Sequence, residues 1–163
     1  MFSPLLRFQL VVLGSVVLLG AGCGKATDPP PSKSALLTAH RWQLSAFVSA
    51  STTGSTTTTT DEYATLPACQ KNNFLQFVAD GTYVNDEGPT LCVPGTPQTT
   101  PGTWTFASDE TELVTQSRGT TPTTHRLTRL TGSELQWVYM TSTPANGSFP
   151  AQSTVFTATF EAQ

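Results

Sequence analysis

Charge is scarce in this chain. Lys, Arg, Asp and Glu make up 12% of its 163 residues, and the formal net charge is −3. A nucleic-acid partner needs a clustered basic face, and the 8 Lys and Arg residues offer none. No segment after the N-terminal stretch carries a long apolar period of 3.6, which argues against a helical domain. Catalytic motifs are missing too: there is no Gly-x-Ser-x-Gly elbow, no P-loop and no His-Glu-x-x-His. No catalytic residue is nominated, and an enzyme is the least favoured reading. His125, beside Arg126 and Arg129, has no nucleophile to serve, so it reads as a surface or packed residue. Asp61-Glu62, Asp86-Glu87 and Asp109-Glu110 with Glu112 sit in or next to expected loops, and none has calcium-loop spacing. Neither a metal nor another cofactor is expected. Asn146-Gly147-Ser148 fits the glycosylation acceptor pattern but reads as loop.

Long apolar runs are confined to the N-terminus. Met1–Arg7 carries one positive charge, Phe8–Leu19 is twelve residues without charge, and Gly20-Ala21-Gly22-Cys23 follows. A basic start, an apolar stretch and small residues before a cut site make a secretory signal. The charge-free run from Phe8 to Gly24 is seventeen residues and ends in Gly, Ala, Gly, Cys, Gly. A membrane span needs about 20 mostly apolar residues. A cysteine at the cut points to a bacterial lipoprotein signal, in which the thiol is acylated before cleavage. Ala21, Gly22 and Cys23 fit that pattern, whereas Gly20 stands where leucine is usual and Leu19 is one place early.

The expected organisation is a signal peptide over 1–22, a lipidated Cys23 opening a tether over 23–34, and one domain over 35–163. Each buried methylene of an acyl chain contributes about 0.8 kcal/mol, and more than one chain makes anchoring stable. Palmitate is an expected modification, the membrane an expected partner, and the bacterial envelope the expected location. The outer membrane is favoured, with the periplasmic or surface face left open. The tether holds Pro29, Pro30 and Pro31 with Lys25, Asp28 and Lys33, and it reads as a stiff linker of polyproline II character.

Threonine, β-branched and favourable in strands, is abundant in the domain. Ser34–Ala39 is expected to form one helical turn, with Ser34 as its cap. Trp42, Leu44, Ala46 and Val48 alternate with Gln43, Ser45 and Phe47 in a first strand. Ser51–Thr60 reads as a low-complexity solvated loop. Asn73–Val78 and Thr82–Asp86 form a hairpin around Asp80-Gly81. Glu87–Pro101, with Pro89, Pro94, Pro97 and Pro101, is expected to be loop. Further strands are expected over 102–107, 111–117, 124–130, 134–142 and 153–161. Eight strands in series without crossover helices cannot pair in parallel. An antiparallel meander of eight can close and remove its edges. The fold expected is all-β, an eight-stranded up-and-down barrel, with a two-sheet sandwich as competitor.

Of the three cysteines, Cys69 and Cys92 remain after Cys23, in a compartment that permits disulfides. A two-residue turn at Asp80-Gly81 sets them directly opposite each other, and a three-residue turn with Gly81 in a bulge leaves Cys92 one position out. Either register suits a disulfide. The chain has no Cys-x-x-Cys, and neither His40 nor His125 lies near this pair in sequence, so a redox or metal-binding pair is disfavoured.

Trp42, the run Cys69-Gln70-Lys71-Asn72-Asn73-Phe74-Leu75-Gln76-Phe77-Val78-Ala79-Asp80-Gly81-Thr82-Tyr83, Cys92 and Gly102-Thr103-Trp104 form a recognisable pattern. Over roughly residues 36 to 161 the chain resembles the lipocalin-like lipoproteins common in the Bacteroidota. The resemblance implies a lipocalin-like barrel. Lipocalins proper carry Gly-x-Trp on their first strand; here the triplet is His40-Arg41-Trp42. No ligand-binding residue is carried over, because fold does not fix function.

The candidate barrel interior is Trp42, Leu44, Phe77, Tyr83, Trp104, Phe106, Leu135, Trp137, Tyr139, Phe156 and Phe160. Two uses are open. An eight-stranded barrel is just wide enough to be filled by side chains or to hold one small ligand. The strands are short, which leans toward filling. The function expected is a non-catalytic envelope module binding a small hydrophobic molecule. The alternative is a filled structural lipoprotein that meets an envelope protein or polymer through loops 51–72, 87–101 and 143–152; no protein partner is named. An empty apolar volume of about 300 Å³ or more separates the two.

Overall fold

The computed structural model describes residues 29–147 and 150–163. The signal peptide, Cys23, the tether before Pro29 and Ser148 lie outside the described residues. Pro31–Gln163 makes one compact unit.

The unit starts with α1 (Lys33–Thr38), capped by Ser32, whose Oγ accepts from the Ala35 N–H at 3.1 Å. The cap is thus two residues earlier than expected, and the helix takes in Lys33 and Ser34, the end of the segment expected to be tether. A serine there satisfies one of the orphan N–H groups of the first turn. Leu37 of α1 is fully buried.

The strands are β1 (Arg41–Thr53), β2 (Thr56–Asp61), β3 (Phe74–Phe77), β4 (Thr82–Asp86), β5 (Thr99–Ala107), β6 (Glu112–Ser117), β7 (Thr123–Leu130), β8 (Glu134–Thr143) and β9 (Gln152–Ala162). The single-turn helices α2 (Glu62–Thr65) and α3 (Ala68–Lys71) lie between β2 and β3. From β3 to β9 each strand pairs antiparallel with the next, β1 pairs with β3, and β1 also pairs with β9. Eight strands therefore close into a barrel, and β2 lies outside the ring. The sandwich alternative falls away.

Three local readings change. Residues 51–60 are not a loop. They complete β1, turn at Gly54-Ser55 and form β2, with Thr53 opposite Thr56 and Val48 opposite Asp61. All six residues of β2 are exposed, so no apolar alternation marked it. The Gly-Ser pair between β-branched residues was the available signal. Second, β5 begins at Thr99 and contains Pro101. Proline is tolerated there because the β5–β6 register ends at Gly102: Pro101 only accepts on that side, from the Arg118 N–H at 3.1 Å, and no donor is required of it. Third, β1 has a bulge at Ser45: Leu44 faces Phe160, but Ala46 faces Thr159 and Phe47 faces Ala158. An extra residue flips the side-chain alternation. Phe47, not Ala46, is therefore the inward residue beyond the bulge.

The hairpin takes the three-residue form. Phe77 pairs with Tyr83, and Gly81 sits at φ 86°. That left-handed conformation costs glycine nothing.

The base of the barrel is solid. Trp42, Leu37, Leu113 and Leu135 have no exposed surface, and Phe77, Tyr83 and Trp104 pack with them. Trp42 Nε1 donates to the Leu37 carbonyl at 2.8 Å, and Trp104 Nε1 donates to the Val78 carbonyl at 2.9 Å. Each indole thus buries its ring and still satisfies its N–H. Gly102 makes room for the Tyr83 ring, since a Cβ there would run into that ring and into the Gln116 carbonyl. At this end Lys33 Nζ also holds the Glu110 carbonyl at 2.7 Å.

Candidate binding cavity

Opposite the base, the interior is open. A cavity of about 940 Å³ reaches from Leu44, Trp137 and Phe160 up past Phe47, Tyr139 and Ala158 to the mouth. The expectation that side chains fill the barrel holds for its lower part alone. The reason lies in the inward residues of the upper walls. β4 and β5 present Asn85 and Thr100, and β7 presents Thr123, none large enough to meet the opposite side.

Aromatic rings make one wall. Phe156 stacks between Tyr139 (4.9 Å, 12°) and Phe47 (5.7 Å, 20°). Below them Trp137 contacts Phe160 at 4.5 Å and the His125 ring at 4.6 Å. Cross-strand register explains the cluster: Tyr139 pairs with Phe156, Trp137 with Ala158 and Leu135 with Phe160. Phe106 packs on Trp104 at 5.3 Å, nearer the base.

The structure therefore divides the sequence-nominated interior set. Trp42, Phe77, Tyr83, Trp104, Phe106 and Leu135 belong to the packed part. Leu44, Trp137, Tyr139 and Phe160 line the cavity. Phe156, stacked between Tyr139 and Phe47, shares their wall without lining the cavity. Sequence reasoning missed Phe47, hidden by the bulge, and Ala158, too small to stand out on an aromatic strand.

His125 is a packed residue of the wall. Its Nε2 lies 3.0 Å from Thr115 Oγ1, and its Nδ1 is buried without a partner. Burial disfavours the imidazolium and brings the pKa from 6.5 down to about 4, so the ring is neutral at pH 7. Tyr139 has its pKa raised by burial, with the Glu62 carboxylate adding to the effect. Glu62 in turn accepts from the buried Ser49 Oγ at 2.6 Å.

Loops roof the mouth. Leu66 and Gln70 come from the α2–α3 segment, and Cys92, Val93, Thr96 and Pro97 from the β4–β5 loop. Cys69 and Cys92 are joined in a disulfide with Cα atoms 5.2 Å apart, which fastens these two segments together. Beside it Gly88, at φ 69°, lies so close to Asn72 that a Cβ would meet the Asn72 carbonyl oxygen. Asp86 accepts from the Gly88 N–H at 2.9 Å and from Gln98 Nε2 at 2.8 Å, and these bonds hold its pKa below the usual value. Val93 remains 58% exposed at the rim.

The acidic pairs act locally. Asp61 caps α2 through the Ala64 N–H, and Ser108 Oγ donates to Glu112 at 2.8 Å. Among the described residues no group of three His, Cys, Asp or Glu could hold a metal. None of the described helices is long and apolar enough to cross a membrane.

No family model matches the chain. No curated protein matches it either.

Proposed function

We propose that this chain is a non-catalytic, lipid-anchored module of the bacterial envelope, similar to the lipocalin-like lipoproteins, whose barrel holds one small hydrophobic molecule. The unfilled upper barrel carries the reading. Its volume of about 940 Å³ lies within the range of ligand pockets, roughly 300–1,000 Å³. Aromatic residues line it, and a disulfide fastens together the two segments of its roof. The same open volume counts against the alternative of a filled barrel acting only through its loops. Anchoring rests on Cys23 and the apolar run before it.

Native mass spectrometry of the chain purified from its own membrane tests the binding reading. A retained small molecule, lost in Ala158→Trp, is the expected result. A bare protein that also takes up nothing from a lipid extract of the same cells overturns it. Anchoring is tested separately by Cys23→Ala, which should move the protein from the membrane fraction to the soluble one. Unchanged fractionation refutes the anchor without touching the cavity.

A further inference from the structure

We infer that the cavity selects an uncharged apolar molecule bearing a hydrogen-bond donor at its outer end, and rejects anionic amphiphiles such as fatty acids. This rests on the barrel being a binding module and specifies its ligand.

The charge of the lining decides it. Among the described residues no Lys or Arg lines the cavity. A buried carboxylate or sulfonate without a cationic partner loses its hydration and gains nothing equivalent. The one imidazole in the wall, His125, is neutral and engaged with Thr115. Among the described cations, Arg118 is exposed in the β6–β7 loop and does not line the cavity, and others are committed or face away. Lys71 Nζ sits 4.8 Å over the Tyr63 ring, Arg41 lies 4.7 Å over the Phe74 ring, and Arg126 is an exposed neighbour of inward-facing His125. The charged side chain that lines the cavity is a carboxylate instead. Glu87 lines the mouth, continuing the inward alternation of Tyr83 and Asn85, and the Glu62 carboxylate is felt at Tyr139. An anionic head group at the mouth meets Glu87; a hydroxyl or amine there finds an acceptor.

The test uses two dyes that share one ring system: neutral N-phenyl-1-naphthylamine and anionic 1-anilinonaphthalene-8-sulfonate. The full chain in lipid nanodiscs is titrated with each, with empty nanodiscs as blank. Energy transfer from tryptophan and mutual displacement are the readouts. The neutral dye should bind saturably at least tenfold more tightly than the sulfonate. Glu87→Gln should narrow that gap by raising sulfonate affinity. Sulfonate binding as tight as that of the neutral dye overturns the charge selection and leaves the cavity reading standing. A gap unchanged in Glu87→Gln overturns the role given to the mouth carboxylate. Failure of both dyes to bind overturns the cavity reading and this inference with it.

Discussion

The base of the barrel and its mouth share the same eight strands yet differ in what points inward. At the base, indoles, phenyl rings and leucines interlock, and each Trp N–H finds a carbonyl. At the mouth, short polar side chains face an aromatic wall across open space. The base is held by packing; the mouth is held by a covalent bond, a glycine contact and side-chain hydrogen bonds. A cavity leaves its lining with fewer dispersion contacts. The base must therefore supply most of the stability, and the mouth is free to vary.

Mutations should expose this division. Trp42→Ala removes a fully buried indole from the base, and loss of about 3–5 kcal/mol is expected by urea denaturation. A loss below 1 kcal/mol would show that the base is not the anchor of stability. Cys69→Ser opens the clasp at the mouth. The chain-entropy model gives about 3 kcal/mol for a bridge spanning 23 positions. Equal melting temperatures under oxidising conditions would refute it. Gly102→Ala drives a methyl into the Tyr83 ring and should cost about 1–3 kcal/mol. Thr100→Val, on the cavity wall, should stay within about 0.5 kcal/mol of wild type, because nothing packs tightly against it. Similar losses in these last two variants would erase the contrast between the halves.

Acid sharpens the comparison further. His125 binds a proton less readily folded than unfolded, since its folded pKa of about 4 lies below 6.5. Its neutral form stabilises the fold above pH 6.5, and that contribution is lost as pH falls from 6.5 toward 4. His125→Gln should flatten this part of the pH–stability curve. Identical slopes for variant and wild type would sink the assignment.

The strands of the ring were legible because half-buried strands write their period into the chain. Trp104 with Phe106, and Leu135 with Trp137 and Tyr139, announce their faces directly. β2 was not legible, since Thr56–Thr60 is exposed on both faces and carries no period. The bulge at Ser45 was invisible for a different reason: a bulge is set by pairing between distant strands, here β1 with β9. The cavity was the least legible. Alternation says which way a residue points, not whether its opposite number reaches it. That depends on which residues meet across the lumen, here Asn85 and Thr100 on one side and the aromatic wall on the other, which face each other only because β1 closes on β9.

The helix α1 closes the underside of the barrel. Leu37 plugs the floor and Lys33 is pinned to the Glu110 carbonyl, so the polypeptide arrives at the underside of the cup. The described chain thus enters at the pole opposite the opening, which keeps Lys33 and Leu37 clear of the rim.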